Sequence, residues 1–506
     1  MILNVNGDVN RYYVQSLCML FFPGSTFGEG EVSQEGIPEV DVEVYKNLIG
    51  DDVATVSIKL NDKVCESTCT VSSDEDISIA THASIAVGRA MFAAGKELLA
   101  HTPPWGILTG VRPAKIAGDI INLGNGITKT KKILRDEYLL NPQKAALAVS
   151  VANTENKILK KLDGNTCSLY ISIPFCPTRC SYCSFVSYTT PRLLSLIDDY
   201  VDALIEDLDE TVETIGMLGM RITTVYIGGG TPTTLGEVQL EKLLSHIAER
   251  IDTSSLSEFS LEAGRPDTIT KEKLEIAKKY GVNRISVNPQ TLNDEILREI
   301  GRRHTTEQFF RAYELALESG IPNINVDLIA GLPGDDFKNF SETIDKIIDL
   351  APTNITVHTF CVKKAADALK KNSGIYSLTG MDVAKSISYS QLKTKFAGYK
   401  PYYMYRQKNT IGNLENVGFS RDGHECLYNV YMMEEVQTIF GIGAGAVTKL
   451  VDYDRTSEKE RRILRIFRPK YPYEYLRDAE KKKNTDAHTD KCNVRAQALK
   501  FFNKND

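Results

Sequence analysis

Cys176-Pro-Thr-Arg-Cys180-Ser-Tyr-Cys183 holds three cysteines within eight residues, spaced C-x3-C-x2-C. The residues before it, Ser168-Leu-Tyr-Ile-Ser-Ile-Pro-Phe175, alternate and are rich in β-branched and aromatic side chains, which predicts a strand. The cysteines therefore lie on a loop that leaves the C-terminal end of a strand. In folds built from parallel strands, ligands and chemistry collect at that end.

Three thiolates on one short loop are soft ligands, which select zinc, Cu(I) or an iron–sulfur cluster. A structural zinc site needs four protein ligands, and a 4Fe–4S cube usually has four cysteines. No fourth cysteine or histidine lies on this loop, where Phe185 stands two residues after Cys183. A cube held by three cysteines leaves one iron open, and that iron can hold a small molecule.

The bulk composition is that of an ordinary soluble protein. The 506 residues suffice for two or three domains, and the formal net charge of −6 argues against a general nucleic-acid surface. We find no signal peptide and no apolar run long enough for a membrane span. Ten cysteines are too few for a disulfide framework, so we expect reduced thiols and a cytoplasmic protein. Cys65 and Cys69 are interpreted as ordinary thiols.

Strand and helix patterns alternate through the middle of the chain, from 163 to 400. Six β-rich segments occur there, separated by amphipathic stretches, which predicts an α/β fold with a parallel sheet in the form of a (βα)6 partial barrel. The last five of these segments are Thr223–Ile227, Phe259–Ala263, Arg284–Val287, Ile324–Ile329 and Ile355–Phe360.

Two further regions flank this barrel. Residues 1–162 predict a small α+β domain, β-rich over 1–75 because of runs such as Tyr12–Phe22, and helical over 79–162. For residues 401–506 we predict a mainly helical region that covers the substrate and ends in a charged tail. Within it, Tyr428–Phe440 carries a helical pattern.

Polar and glycine residues follow strand after strand at one predicted rim. Gly228-Gly-Gly-Thr-Pro232 follows the second strand, and three glycines let a backbone approach a ligand closely. Glu262 ends the third strand, Gln290 follows the fourth, and Asp327 lies in the fifth. Because these positions share the mouth of the barrel, we expect them to line a common site.

The order of motifs resembles the oxygen-independent coproporphyrinogen III dehydrogenase (oxidase) family of radical S-adenosylmethionine (SAM) enzymes, and its HemZ-like branch in particular. The motifs that carry this resemblance are the cysteine loop, Gly228–Pro232, Gln290–Asp294, Ile300–Thr305, Asp327–Pro333 and Gly441–Ala446, with Trp105–Pro113 and Tyr402–Asn409 for the branch.

The resemblance implies a barrel of the radical SAM type with a 4Fe–4S cluster on Cys176, Cys180 and Cys183, and SAM on the open iron. It places one set of residues at this SAM: Tyr170, Gly228, Gly229 and Glu262. It places another set at a second SAM: Tyr182, Gly230, Thr231, Gln290, Arg302 and Asp327. Tyr170, Glu262 and Arg302 are the predicted catalytic residues. One departure is Phe185, where the best-known enzyme of the family has a further cysteine.

The implied reaction is oxidative decarboxylation of two propionates of coproporphyrinogen III to give protoporphyrinogen IX, with flavodoxin or ferredoxin as electron donor. General bases cannot remove an unactivated β-hydrogen, so the cofactor must supply the chemistry. The substrate carboxylates call for basic side chains, and the candidates are Arg112, Arg302, Arg303, Arg406 and Lys408. Two alternatives stay open: a haem chaperone that uses His304, His358 or His424, and a radical SAM enzyme acting on haem.

Overall fold

The computed structural model describes residues 1–29, 36–183, 187–361, 375–407, 410–453, 461–484 and 493–502, with the backbone alone at 375–381 and 481–484. The chain forms two compact units. The N-terminal unit comprises Met1–Asn156 and Tyr403–Asn416, and the barrel unit comprises Lys157–Tyr402 and Val417–Asp506. The sequence-based boundaries at 162 and 400 stay predictions.

The N-terminal unit contains a sheet of four strands in the order β1-β2-β3-β4 among the described residues. Strands β1 and β2 are parallel and the other pairs are antiparallel. Cys65 and Cys69 lie on β4 as half-buried free thiols. The elements are β1 (Ile2–Asn6), α1 (Arg11–Phe21), β2 (Glu39–Lys46), β3 (Asp52–Leu60), β4 (Lys63–Val71), α2 (His82–Leu99), α3 (Pro113–Asn122), α4 (Ile127–Asp136) and α5 (Pro142–Leu159).

Helix α1 corrects the sequence-based assignment of Tyr12–Phe22 to the β-rich pattern. The side chain of Asn10 accepts hydrogen bonds from the amides of Tyr12 (2.9 Å) and Tyr13 (3.3 Å), which caps the helix. The buried apolar side chains recur at three- and four-residue spacing: Val14, Leu17, Cys18 and Phe21. The run is therefore amphipathic with a helical period, although its short apolar segments also suit a strand.

Six parallel strands form the centre of the barrel unit and pair in chain order. Helices connect them, so the predicted fold class is confirmed. The strands are β5 (Thr166–Ile173), β6 (Arg221–Gly229), β7 (Glu258–Leu261), β8 (Arg284–Ser286), β9 (Asn323–Ala330) and β10 (Asn354–Thr359). The helices are α6 (Pro191–Leu194), α7 (Ile197–Met217), α8 (Glu237–Arg250), α9 (Lys271–Lys279), α10 (Asp294–Glu299), α11 (Thr306–Glu318), α12 (Phe337–Asp349) and α13 (Ile375–Phe396).

The region after residue 400 is mixed rather than mainly helical, so that part of the prediction is wrong for the described residues. Its strands extend the six-stranded core at both edges, giving the order β11-β12-β10-β9-β8-β7-β6-β5-β13-β14-β15 among the described residues. The elements are β11 (Lys400–Arg406), β12 (Glu415–Ser420), α14 (Leu427–Glu434), β13 (Thr438–Ile442), β14 (Val447–Asp452), β15 (Arg462–Phe467), α15 (Pro472–Asn484) and α16 (Val494–Phe502).

The predicted helix over 428–440 ends early for a local reason. Glu435 adopts a left-handed backbone conformation with φ of 51°, which terminates α14. The following residues then pair in parallel with β5 as strand β13. Among the described helices, none has the length and apolarity needed to cross a bilayer.

Candidate active site

The cysteine loop leaves β5 and is anchored at both of its ends. The amide of Cys176 donates to the carbonyl of Tyr188 (3.1 Å), and the amide of Tyr188 donates to the carbonyl of Pro174 (2.8 Å). Near the other end, the amide of Ser181 donates to the carbonyl of Ile300 (3.0 Å). The loop therefore has a fixed position between the end of β5 and the residues that follow α10.

The three thiols are close electrostatic neighbours. Cys176 and Cys180 are buried and Cys183 is half-buried. Burial raises the pKa of the Cys176 thiol, a hydrogen bond with Thr231 (3.4 Å) opposes this, and the other two cysteines raise it further. Within the described ranges, no three Cys, His, Asp or Glu side chains are placed to hold a metal ion.

Arg265 is a site residue that the sequence reading missed. Its guanidinium is buried and makes a two-pronged ion pair with Asp267, with N–O distances of 3.0 and 3.1 Å. Nη1 lies 3.7 Å from the sulfur of Cys180, and Nη2 donates to the hydroxyl of Thr178 (2.9 Å). Arg265 thus fixes the loop and directs positive charge at a thiol, an interaction that tunes the potential of thiolate-bound clusters.

The glycine run at the end of β6 brings the backbone directly beside Cys176. The amide of Gly230 donates to the carbonyl of Ile173 (2.7 Å). A Cβ at Gly230 would lie 2.6 Å from the carbonyl oxygen of Phe175 and 3.0 Å from the sulfur of Cys176. Gly229 has a φ of +109°, which a residue with a side chain rarely adopts. Glycine at these positions keeps the backbone close to the thiols, and we call Gly228–Gly230 the glycine cradle; exposed backbone groups at this point fit the binding of a cofactor next to the cysteines.

Glu262 lies at the end of β7, facing the same glycine run. A Cβ at Gly228 would lie 2.9 Å from its Oε2, and the hydroxyl of Tyr226 donates to its Oε1. Tyr170 and Tyr428 stack on the ring of Tyr226, with centroid distances of 6.2 and 4.5 Å. Burial raises the pKa of all three phenols, which remain neutral. The predicted site residues Tyr170 and Glu262 are therefore connected through Tyr226. The sequence did not identify Tyr226 or Tyr428 as residues of the site.

A pH test follows from Glu262, because burial raises the pKa of its carboxyl from 4.5 to about 7. Between these values the folded protein keeps the proton and the unfolded chain releases it. The contribution of the Glu262 carboxyl to the free energy of unfolding is therefore complete below pH 4.5, and it is lost as the pH rises to about 7. Glu262→Gln mimics the protonated form, so we expect the Tm of the SAM-free wild type to fall by roughly 2–5 °C relative to the variant across this range. Thermal unfolding of both proteins at pH 5 to 8 measures this, and a pH-independent difference would contradict it.

Asp327 lies on β9, and its charge contributes to the raised pKa of Glu262. Burial works to raise the pKa of Asp327, but hydrogen bonds from neighbours including His358 and Asn325 hold the pKa below its ordinary value. Asn288 donates to its Oδ2 (2.9 Å), and the amide of Gln290 donates to its backbone carbonyl (3.1 Å). Gln290 has a left-handed φ of 70°, and its buried Oε1 has no hydrogen-bond partner among the described residues. That orphaned acceptor fits a ligand with an N–H or O–H group.

Arg302 joins this group to the cysteine loop. Its buried guanidinium donates through Nε to the hydroxyl of Tyr182 (3.1 Å) and through Nη1 to the carbonyl of Asn288 (2.7 Å). The structure therefore connects the predicted residues Tyr182, Arg302 and Asp327 through Asn288, another residue that the sequence reading missed. Their contacts with SAM stay predictions, as does the binding of a second SAM.

A cleft of about 730 Å³ opens beside the same loop. Its wall contains four arginines. Arg302 is buried, whereas the other three are exposed, and none of these three has a carboxylate within ion-pair distance in the described part of the chain. The residues lining the cleft are Pro177, Thr178, Arg179, Thr189, Arg298, Gly301, Arg302 and Arg303.

Two of the three candidate histidines, His358 and His424, are engaged by side chains of the described chain. His304 is buried, and burial together with Arg302 lowers its pKa to about 3. His358 pairs with Asp327 at 3.8 Å, and Nδ1 of His424 lies 2.7 Å from Oδ1 of Asn323. Two further predicted positions, Phe185 and Lys408, lie outside the described residues, and Arg112 is half-buried in the N-terminal unit.

The parallel barrel, the three-cysteine loop and the glycine cradle define a radical SAM protein, and residues 170–347 match the radical SAM superfamily. Proteins of this superfamily, and hence this chain, use a 4Fe–4S cluster and SAM. The chain belongs to the family within it that includes the oxygen-independent coproporphyrinogen-III oxidase-like protein HemZ.

Three known proteins illustrate this similarity. HemZ of Bacillus subtilis (strain 168) is 38% identical over 378 residues, 74% of this chain and 74% of that protein. The heme chaperone HemW of Bacillus subtilis (strain 168) is 34% identical over 282 residues, 55% of this chain and 70% of that protein. The structure of coproporphyrinogen III oxidase (HemN) from Escherichia coli, described as a radical SAM enzyme, has the same fold, with a TM-score of 0.50 and 21% identity over 69% of this chain and 78% of that one.

Proposed function

We propose that this protein is a radical SAM enzyme of tetrapyrrole metabolism that decarboxylates two propionates of coproporphyrinogen III to give protoporphyrinogen IX. The observation that carries the proposal is the arginine-lined cleft beside the cysteine loop. Its volume lies in the range of small-molecule sites, and arginine pairs with carboxylates through two parallel hydrogen bonds. A flat ligand with four propionates matches a wall with several unpaired guanidinium groups.

In this proposal, Cys176, Cys180 and Cys183 hold the cluster, and Gly228–Gly230 with Glu262 hold SAM. When bound and reduced, these cofactors supply a 5′-deoxyadenosyl radical able to remove an unactivated hydrogen. The protein contributes binding and exclusion of water. Glu262 can accept a hydrogen bond from a ribose hydroxyl when ionised, and Arg302 provides buried positive charge beside Tyr182. The carbonyl and hydroxyl partners of Arg302 leave its positive charge available to a ligand carboxylate.

Replacing Arg179, Arg298 and Arg303 together with glutamine tests the cleft. Each exposed pair with a propionate contributes about 0.5–1 kcal/mol, so we expect the triple variant to raise the KM for coproporphyrinogen III about tenfold or more. Reductive SAM cleavage without substrate should remain as in the wild type. Arg311→Gln is the matched control, because Arg311 is an exposed arginine on α11 outside the cleft. An unchanged KM in the triple variant would contradict the assignment of the cleft.

The reaction itself is tested by anaerobic incubation of the reconstituted protein with SAM, reductant, coproporphyrinogen III and an electron acceptor. Mass spectrometry should show 5′-deoxyadenosine and the divinyl product, with release of CO2. Formation of 5′-deoxyadenosine without these products would favour a radical reaction on haem or another tetrapyrrole. Tight haem binding without turnover would favour a chaperone, the function named for the HemW relative. Flavodoxin or ferredoxin as electron donor and a cytoplasmic location stay predictions.

A further inference from the structure

A buried charged cluster lies in the N-terminal unit, around Trp105. The indole nitrogen of Trp105 donates to Oε2 of Glu415 (2.9 Å), and the ammonium of Lys144 pairs with Oε1. All three side chains are almost completely inaccessible to solvent. Each oxygen of the Glu415 carboxylate is therefore already engaged by a donor.

Arg406 brings a second positive charge to this cluster without a counterion of its own. Its side chain is buried, its guanidinium lies 5.7 Å from the centre of the Trp105 ring, and Nη1 donates to the carbonyl of Leu108 (2.6 Å). No carboxylate of the described chain forms an ion pair with it. Burial lowers the pKa of Arg406 to about 10, although Glu415 opposes that change. Buried charges are normally paired, because an uncompensated one is costly.

Arg406 also lines a small cavity, whose wall includes the polar residues Thr109, Gln407 and Asn413. The cavity has a volume of about 40 Å³. One water needs about 10–15 Å³ of such volume, so the cavity has room for about three or four waters or for one carboxylate group. A tetrapyrrole ring is far too large for it.

We propose that this cavity binds a carboxylate group, which supplies the counterion that Arg406 lacks. The ligand is either a small free carboxylate or the carboxylate end of a larger acid such as a propionate-bearing tetrapyrrole. Arg406 makes the charge-assisted contact, and the polar side chains at the wall add neutral hydrogen bonds. The site does not depend on the proposed reaction, because it involves neither the cluster loop nor the arginine-lined cleft.

Thermal unfolding and calorimetry of the full chain with sodium propionate test this site, at constant ionic strength and with propionamide as the uncharged control. We expect propionate to raise the Tm in a saturable way, as a ligand of the folded state does, and propionamide to have no effect. Arg406→Lys should weaken propionate binding at least tenfold, since lysine lacks the planar fork of donors. Arg135→Gln, an exposed arginine on α4 of the same unit, should bind as the wild type does.

A second variant separates loss of binding from loss of folding, because a substitution of the buried Arg406 affects both. Thr109→Leu keeps Arg406 and narrows the cavity, so it too should lose propionate binding. Coproporphyrin separates the two sources: displacement of bound propionate identifies a tetrapyrrole arm, and no displacement identifies a free acid. Equal stabilisation by propionate and propionamide, or unchanged propionate affinity in both variants, would overturn the proposal.

Discussion

Replacing Cys176, Cys180 or Cys183 with alanine is expected to abolish the 4Fe–4S cluster. The three thiols share one short loop that is anchored at both ends, and two of them are buried. In the proposed assignment each thiolate would hold a different iron of a cube with only three protein ligands, so no neighbouring sulfur would replace a lost one. Iron content and visible absorption after anaerobic reconstitution should fall to background in each single variant.

Two cysteines outside the loop provide matched controls. Cys65 lies on β4 of the N-terminal unit, and Cys361 follows β10 in the barrel unit. Alanine at either position should leave the iron content as in the wild type. If Cys361→Ala removed the cluster as completely as Cys176→Ala does, the assignment of three loop ligands would be wrong.

Local sequence predicted the elements that depend on neighbours in the chain. Strand β5 follows from the alternation of side-chain types before the cysteines. The closeness of the three thiols follows from their short spacing along the chain. The helix α11 follows from its capping box, in which Thr305 and Gln308 exchange hydrogen bonds. The parallel order of six strands follows because helical connections between strands permit it. These features require no knowledge of distant contacts.

Tertiary context decided the features that the sequence missed. The pattern of apolar residues over 12–22 is compatible with both a strand and a helix. Only the cap at Asn10 and the burial of one face select the helix. Strands β13 to β15 gain their stability from pairing at a sheet edge, which their composition does not reveal. The short strand β13 also directly follows a genuine helix, which made the two resemble one helical segment.

Site residues were missed for a related reason. Arg265 and Asn288 act through contacts with the cysteine loop and with Asp327, which come from different strands. Their residue types alone do not distinguish them from surface charges and turn amides. Arg406 shows the converse, because the sequence suggested it as a partner of substrate carboxylates and the structure buries its side chain beside Trp105.

The glycine cradle gives the second large expected effect, a loss of SAM binding in Gly228→Ala. A Cβ there would lie 2.9 Å from both Oε2 of Glu262 and a ring carbon of Tyr226, contacts that real Cβ atoms do not make. Displacing Glu262 and filling the cradle each cost about 1–3 kcal/mol, so we expect SAM affinity to fall about a hundredfold. Equilibrium dialysis of SAM, and its effect on the electron paramagnetic resonance spectrum of the reduced cluster, measure this.

Two other glycines separate loss of SAM from loss of the cluster. Gly230→Ala would press on the carbonyl of Phe175 and the sulfur of Cys176, so we expect it to lower iron content as well as SAM affinity, whereas Gly228→Ala should retain its iron. Gly216→Ala is the control, because its Cβ meets no atom within 4 Å and alanine favours helix α7. It should bind SAM as the wild type does. If Gly228→Ala bound SAM within threefold of that affinity, the ligand in the cradle would not be SAM, and the family's cofactor would have to reach the open iron from another side of the loop.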